Sequence, residues 1–280
     1  MNCVVCQGPL DPALAPEISH PTCSATSFFD PLDGTDPFDL ALKQQLLEVI
    51  RFADREDPRS KQVQVGPSEM GVGCDRRLAY RLAGLAEVNT AFDPWPATVG
   101  TAIHAWLERA MSLWNAQSAT ENWLTEQSIN FDFGGVGHGD LYRVDPPTVI
   151  DWKSASKDVM TKVKKDGPPQ KYIVQIHLYG YGYKQMGRPV DRVALAFVPR
   201  AGWIKDMYVW SQPYNEQIAT DAINRMFRIA RDAVGLDVIR EPHRWQQLEA
   251  EPSDDCGTCP WYNPLRTAEQ GASEQGCPGH

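Results

Sequence analysis

The hydrophobic pattern changes period in the middle of the chain, and this change constrains the fold more than any other feature. Residues 123–133 alternate between apolar and polar side chains. Segments 136–144 and 148–154 follow, separated by the turn Asp145-Pro146-Pro147. Alternation is typical of strands that bury one face, so the sequence predicts a three-stranded meander.

Helical patterns lie on both sides of this meander. Apolar spacing predicts helices at about 36–53, 68–83, 98–116, 170–187 and 214–234, and strands near 191–199 and 203–210. The apolar face expected for the third helix consists of Val99, Ile103, Trp106, Leu107, Ala110 and Met111. This order predicts an α/β or α+β fold with one mixed sheet flanked by helices.

Composition narrows the functional class. The chain has 27 basic and 36 acidic residues, a formal charge of −9. This balance disfavours a passive electrostatic coat on nucleic acid, but an enzyme with a local basic groove remains compatible with it. No apolar run approaches the roughly 18 residues of a spanning helix, and no export signal is recognisable, so we expect no membrane contact and a cytoplasmic location.

The cysteines fall into two sets. Their odd number and the missing export signal argue against a disulfide framework. Cys3-x2-Cys6 with His20-x2-Cys23 predicts a tetrahedral zinc site, whereas the other four, Cys74, Cys256, Cys259 and Cys277, predict a second metal site. Spacing alone does not separate zinc from an iron–sulfur cluster. The alternative is a buried Cys74 thiol and incidental Cys3 and Cys6.

The residues with the clearest chemistry lie in the meander. Gly139-Asp140 is followed by Asp151-Trp152-Lys153 on the next strand. Side chains two apart share a face, so two carboxylates and an amine converge, while Trp152 turns into the core and leaves its carbonyl at the edge. Such oxygen ligands suit Mg²⁺ or Mn²⁺ in phosphodiester hydrolysis. The alternative is an ordinary salt bridge between Asp151 and Lys153.

Three further residues accompany this group. His104 lies at the border of an apolar helix face, where a histidine is more often a core residue than a ligand. Gln175 and Tyr179 are four apart and share a helix face. Gly180 and Gly182 on that helix suggest a close approach of another backbone or a bend.

In this order the residues resemble the RecB-type branch of the PD-(D/E)xK nucleases, across about residues 67–280. The resemblance implies that His104, Asp140, Asp151 and the Trp152 carbonyl bind the divalent cation. Lys153 would be the catalytic lysine, and Gln175 and Tyr179 would support the site or contact DNA.

The segment Cys74 to Tyr80 is similar to the entry helix of iron–sulfur nucleases of this type, which include CRISPR-associated RecB-like, AddB and phage exonucleases. The resemblance implies a [4Fe–4S] cluster on Cys74, Cys256, Cys259 and Cys277, although the gap before Cys277 is longer than usual. The domains expected are a zinc element (1–34), a helix and linker (35–66), the nuclease core (67–250) and a cysteine segment (251–280).

The resemblance implies a metal-dependent exonuclease acting on single-stranded DNA or duplex ends, in recombination, repair or replication in a bacterial or phage-infected cell. A processing endonuclease and a non-catalytic docking subunit are the alternatives. No P-loop is present, so unwinding would need a helicase or recombination partner. Residues 153–171 hold six lysines and two aspartates, and we expect a loop that grips DNA, with Arg76 and Arg77 as further phosphate contacts.

Overall fold

The computed structural model describes residues 36–56, 65–89, 93–118, 122–238, 240, 244, 247–250, 256–263, 277 and 279. The chain divides into two compact units, Met1–Lys61 and Gln62–His280. The first unit contains α1 (Pro37–Glu56). Asp36 begins this helix as predicted, because its carboxylate accepts the Phe38 N–H at 2.8 Å.

The second unit is a mixed α/β domain with a five-stranded central sheet flanked by helices. The strands are β1 (Trp123–Asn130), β2 (Val136–Arg143), β3 (Thr148–Ala155), β4 (Arg192–Pro199) and β5 (Tyr208–Pro213). The helices are α2 (Pro67–Met70), α3 (Asp75–Leu82), α4 (Trp95–Gln117), α5 (Lys157–Asp166), α6 (Gln170–Gln185) and α7 (Glu216–Gly235). The strand order is β1-β2-β3-β4-β5, so the predicted meander and mixed sheet are confirmed.

One pair of strands in this sheet is parallel. β3 pairs with β4 in parallel, and the other neighbours are antiparallel. A parallel pair requires a crossover, which α5 and α6 provide. The central strand β3 is therefore the last strand of the meander and the first strand of the crossover, with α6 packed on the sheet.

Two glycines allow α6 to pack closely. A Cβ on Gly182 would lie 2.6 Å from Phe131 Cε1 and would also meet Ile129. A Cβ on Gly180 would lie 2.6 Å from the Tyr214 ring. The prediction that another backbone approaches these glycines was wrong, because side chains make the close contacts.

Ion pairs connect the start of α3 to α7. Asp75 is buried, and its carboxylate accepts from Arg225 Nε and Arg228 Nη2, each at 2.7 Å. Arg225 also donates to the Val72 carbonyl at 2.8 Å. These bonds fix the loop before α3.

A buried histidine holds the start of α7. His177 is fully buried on α6, and its Nδ1 accepts the Asn215 N–H at 3.2 Å. The Gln212 side chain pairs with Nε2. Burial lowers the pKa of His177 to about 4, so the ring is neutral at pH 7.

The C-terminal segment closes over α3. Trp261 is buried, and its indole N–H donates to the Leu85 carbonyl at 3.1 Å. The Arg76 N–H donates to the Glu249 carbonyl at 2.9 Å. Leu248 and Trp261 therefore form part of the core around α3.

Several local predictions were wrong. The helix expected at 68–83 is divided into α2 and α3, because Cys74 is extended and caps α3 by accepting the Arg77 N–H. The strand expected at 203–210 begins at Tyr208, after a short 3₁₀ turn. The lysine-rich segment 153–171 contains the helix α5 instead of a continuous loop.

Two tryptophans also depart from expectation. Trp106 was expected on the apolar face of α4, but it is 65% exposed. Trp152 was expected in the core, but it is only partly buried and belongs to neither buried apolar cluster. Within the ranges given above, no helix has the length and hydropathy needed to cross a membrane.

Candidate active site

Two aspartates lie where the ladder between β2 and β3 ends. The last pair is Leu141 with Ile150, and Asp140 and Asp151 occupy the next positions on the two strands. Asp140 Oδ2 accepts the Trp152 N–H at 2.8 Å. The Asp140 side chain thus takes the place of a strand carbonyl as the acceptor for the Trp152 N–H, which fixes Asp140 beside β3.

Lys153 joins Asp151 on one face of β3. The ammonium lies 2.6 Å from Asp151 Oδ2 and donates to Gln175 Oε1 at 2.9 Å. It also lies 4.6 Å from the centre of the Tyr172 ring, within the range of a cation–π interaction. A carboxylate, an amide and an aromatic ring therefore position this amine.

His104 reaches the same group from α4. Its Nδ1 lies 3.6 Å from Asp140 Oδ2. Burial lowers the pKa of His104, but the contact with Asp140 and the charge of Asp151 outweigh it, so the net direction is upward. The imidazole is therefore protonated over a wider pH range than a free histidine.

Asp151 is the most buried carboxylate of the site, at 3% exposure. Its Oδ2 lies 2.6 Å from the Lys153 ammonium, so the two side chains form a buried ion pair. Burial raises the pKa of Asp151 to about 6, although the Lys153 charge opposes the rise. Burial and the Asp140 charge both raise this pKa, and a bound cation would oppose both effects.

Helix α6 closes the site with Gln175 and Tyr179, both buried. A Cβ on Gly137 would lie 3.0 Å from the Tyr179 ring, and one on Gly139 would lie 2.7 Å from the Tyr183 hydroxyl. The glycine before Asp140 therefore allows the tyrosine stripe of α6 to lie against β2. Burial and the charges of Asp151 and Asp140 raise the pKa of Tyr179, so its hydroxyl stays protonated.

Sequence reasoning missed Tyr172, which supports the Lys153 ammonium. Its signal was present, because Tyr172, Gln175 and Tyr179 follow the helical spacing of three and four residues. The alternation of β3 was sufficient to bring Asp151 and Lys153 together. The contacts of these residues with His104 of α4 and Gln175 of α6 depend on the tertiary fold and could not be predicted from alternation.

The four cysteines of the second predicted set line one cavity. Cys74, Cys256, Cys259 and Cys277 are all partly buried free thiols. The Cys74 sulfur accepts the Arg77 N–H at 3.4 Å, and Arg76 Nη1 donates to Cys277 Sγ at 3.4 Å. Burial raises the pKa of Cys259. The side chain of Arg77 also pairs with Glu69, so both arginines predicted to meet phosphates have contacts within the protein.

The described residues contain no group of three or more His, Cys, Asp or Glu side chains arranged closely enough to hold a metal ion. The carboxylates near β3 face Lys153 and His104 instead. The predicted zinc ligands Cys3, Cys6, His20 and Cys23 lie outside the described residues.

Comparison with known proteins gives only distant likenesses. No family model matches the chain, and no curated protein matches it significantly. The crystal structure of SSO0001 is 18% identical, with a TM-score of 0.45 over 81% of this chain and 97% of that one. An alkaline exonuclease from Laribacter hongkongensis is 13% identical, with a TM-score of 0.44 over 64% of this chain and 93% of its own. A phage-related exonuclease from Haemophilus somnus 129PT is 14% identical, with a TM-score of 0.40 over 60% and 82%.

Proposed function

We propose that this protein is a metal-dependent DNA exonuclease that hydrolyses phosphodiester bonds. One observation carries the proposal: Asp140, Asp151, Lys153 and His104 converge from two strands and a helix. A structural salt bridge would need only Asp151 and Lys153. The second carboxylate and the imidazole add ligand types that serve a cation.

The donor set fits a divalent cation of the Mg²⁺ or Mn²⁺ type, with Asp140, Asp151, His104 and the Trp152 carbonyl as ligands. The buried Asp151 carboxylate next to that of Asp140 supports this assignment. Lys153 now pairs with Asp151, and His104 contacts Asp140, so binding requires these side chains to reorient. Bound there, the cation would act as a Lewis acid on the phosphate.

The residues of the chain then have separate tasks. Lys153, held by Gln175 and lying over Tyr172, directs its ammonium protons to the phosphate oxygen or to the attacking water. Asp151 is deprotonated above its raised pKa, which favours binding of the divalent cation at neutral to alkaline pH. The Tyr179 hydroxyl keeps its proton and can donate a hydrogen bond to the Gln175 side chain.

The lysines of α5 extend the site towards the substrate backbone. Ser156 caps this helix, accepting the Val159 N–H, while Met160 and Val163 are buried. This anchoring leaves Lys162 and Lys165 on an exposed helix surface. Ordered cations next to β3 suit contacts with phosphates.

The second cysteine set is proposed to hold a [4Fe–4S] cluster that ties Cys256, Cys259 and Cys277 to Cys74 at the start of α3. Convergence of four free thiols on one cavity supports the assignment. The cluster would supply a cross-link over a long loop, and the N–H groups at the start of α3 would offset thiolate charge. The zinc element at Cys3, Cys6, His20 and Cys23, and a separate unwinding partner, stay predictions.

The nuclease proposal is tested by digesting end-labelled single-stranded DNA with Mg²⁺ or Mn²⁺, using protein purified without oxygen. We expect Lys153→Ala to lose roughly 100- to 10,000-fold in rate, and chelation to abolish activity. Lys184→Ala is the matched control, since Lys184 lies on the same helix as Gln175 but pairs with Glu216 at the surface. Equal rates for wild type and Lys153→Ala would contradict the proposal.

Two measurements separate the finer assignments. Cleavage of circular single-stranded DNA would indicate an endonuclease, because an exonuclease needs an end. Iron and acid-labile sulfide should be found together in wild type and fall in Cys74→Ser. Zinc alone in the wild-type protein would refute the iron–sulfur assignment.

A further inference from the structure

The loop between β4 and β5, residues 200–207, exposes two large apolar side chains. Trp203 is 72% exposed and Ile204 is 63% exposed. Gly202 has a φ of +103°, a conformation that other residues rarely adopt. The Asp206 N–H then donates to the Trp203 carbonyl at 2.9 Å. The backbone is thus ordered while it presents a tryptophan to solvent.

This loop leaves the sheet close to the candidate active site. In the parallel register, Lys153 is opposite Phe197 and Ala155 is opposite Pro199. The Arg200 N–H donates to the Ala155 carbonyl at 2.9 Å, and Arg200 Nε donates to Ser154 Oγ at 3.3 Å. At about 3.3 Å per residue, the loop begins about 10 Å beyond the level of Lys153.

Positive charge flanks the exposed tryptophan. Arg200 and Lys205 belong to the loop, and Lys164 of α5 donates to the Asp206 carbonyl at 3.3 Å. Helix α5 carries four lysines and two aspartates, in a chain of net charge −9. A flat aromatic ring beside ordered cations matches a polymer with planar bases and a phosphate backbone.

We infer that Trp203 stacks on an unpaired base of the DNA strand whose phosphate lies at Lys153. The inference rests on the proposed function and adds a specific ligand, an unpaired nucleobase, and a residue that binds it. Stacking does not depend on base identity, because every base has a π-face. The loop therefore selects single-stranded or frayed ends without selecting sequence.

The test compares two oligonucleotides of equal length, one with natural bases and one made of abasic nucleotides. Trp203→Ala should raise the KM for the natural strand about 5- to 150-fold, with kcat near wild type, because stacking holds ground and transition states alike. Trp203→Phe should keep most of the affinity. On the abasic strand all variants should behave alike.

Trp114→Ala is the matched control, since Trp114 of α4 is 63% exposed and lies ten residues from His104. It should leave both KM values unchanged. An unchanged KM in Trp203→Ala, or an equal rise in KM on both strands, would overturn this inference and leave the proposed function standing. If wild type hydrolyses neither strand, the proposed function itself fails, and the inference with it.

Discussion

Replacing Gly182 by alanine should destabilise the protein, although alanine is the better helix former. The new Cβ would lie 2.6 Å from Phe131 Cε1 and against Ile129. These side chains are 4% and 0% exposed, so neither can turn towards solvent. Overpacking costs about 1–3 kcal/mol, and two buried neighbours place the cost in the upper part of that range. The helix gains roughly 1 kcal/mol, which leaves a net loss of about 1–2 kcal/mol.

The measurement is urea unfolding followed by circular dichroism, with the slope checked for two-state behaviour. For a unit of this size the loss corresponds to about 2–8 °C in Tm. Gly235→Ala is the control, because a Cβ there meets no atom within 4 Å, and it should be neutral or stabilising. If Gly182→Ala were as stable as wild type, the packing argument for α6 would be refuted.

Two other predictions concern buried polar groups. Asp75→Ala should lower the free energy of unfolding, measured with urea, by roughly 2–3 kcal/mol. The substitution leaves the largely buried Arg225 guanidinium without its carboxylate partner. The loss is not larger because Arg228, the second partner, is half exposed and can be solvated by water. Because His177 has its pKa lowered to about 4, the unfolded chain binds a proton first, so stability should fall by up to about 3 kcal/mol between pH 6.5 and 4. A His177→Gln variant should lose this dependence, and an unchanged pH profile would count against a neutral buried ring.

The sequence was most informative where one local rule decides the geometry. Alternation alone predicts that Asp151 and Lys153 share a face, and a tight turn brings Asp140 to the neighbouring strand. These relations survive almost any tertiary arrangement. The mixed sheet follows from the order of elements for the same reason.

Elsewhere distant contacts decide the outcome. The close packing at Gly71, just after α2, depends on the Lys171 carbonyl, about a hundred residues away, which leaves no room for a side chain there. Helix α5 buries only Met160 and Val163, too few apolar residues to stand out among the lysines. Its serine cap and terminal Gly167 were the available signals.

The position of Trp261 sets an order of events during synthesis. Its partner Leu85 is 176 residues earlier in the chain. At 5–20 residues per second, the ribosome needs roughly 9 to 35 seconds to travel that distance. Throughout this interval the surface of α3 that Trp261 covers stays open, and the last strand, β5, is synthesised before the interval ends. All five strands have therefore been synthesised before Trp261 can complete the core around α3.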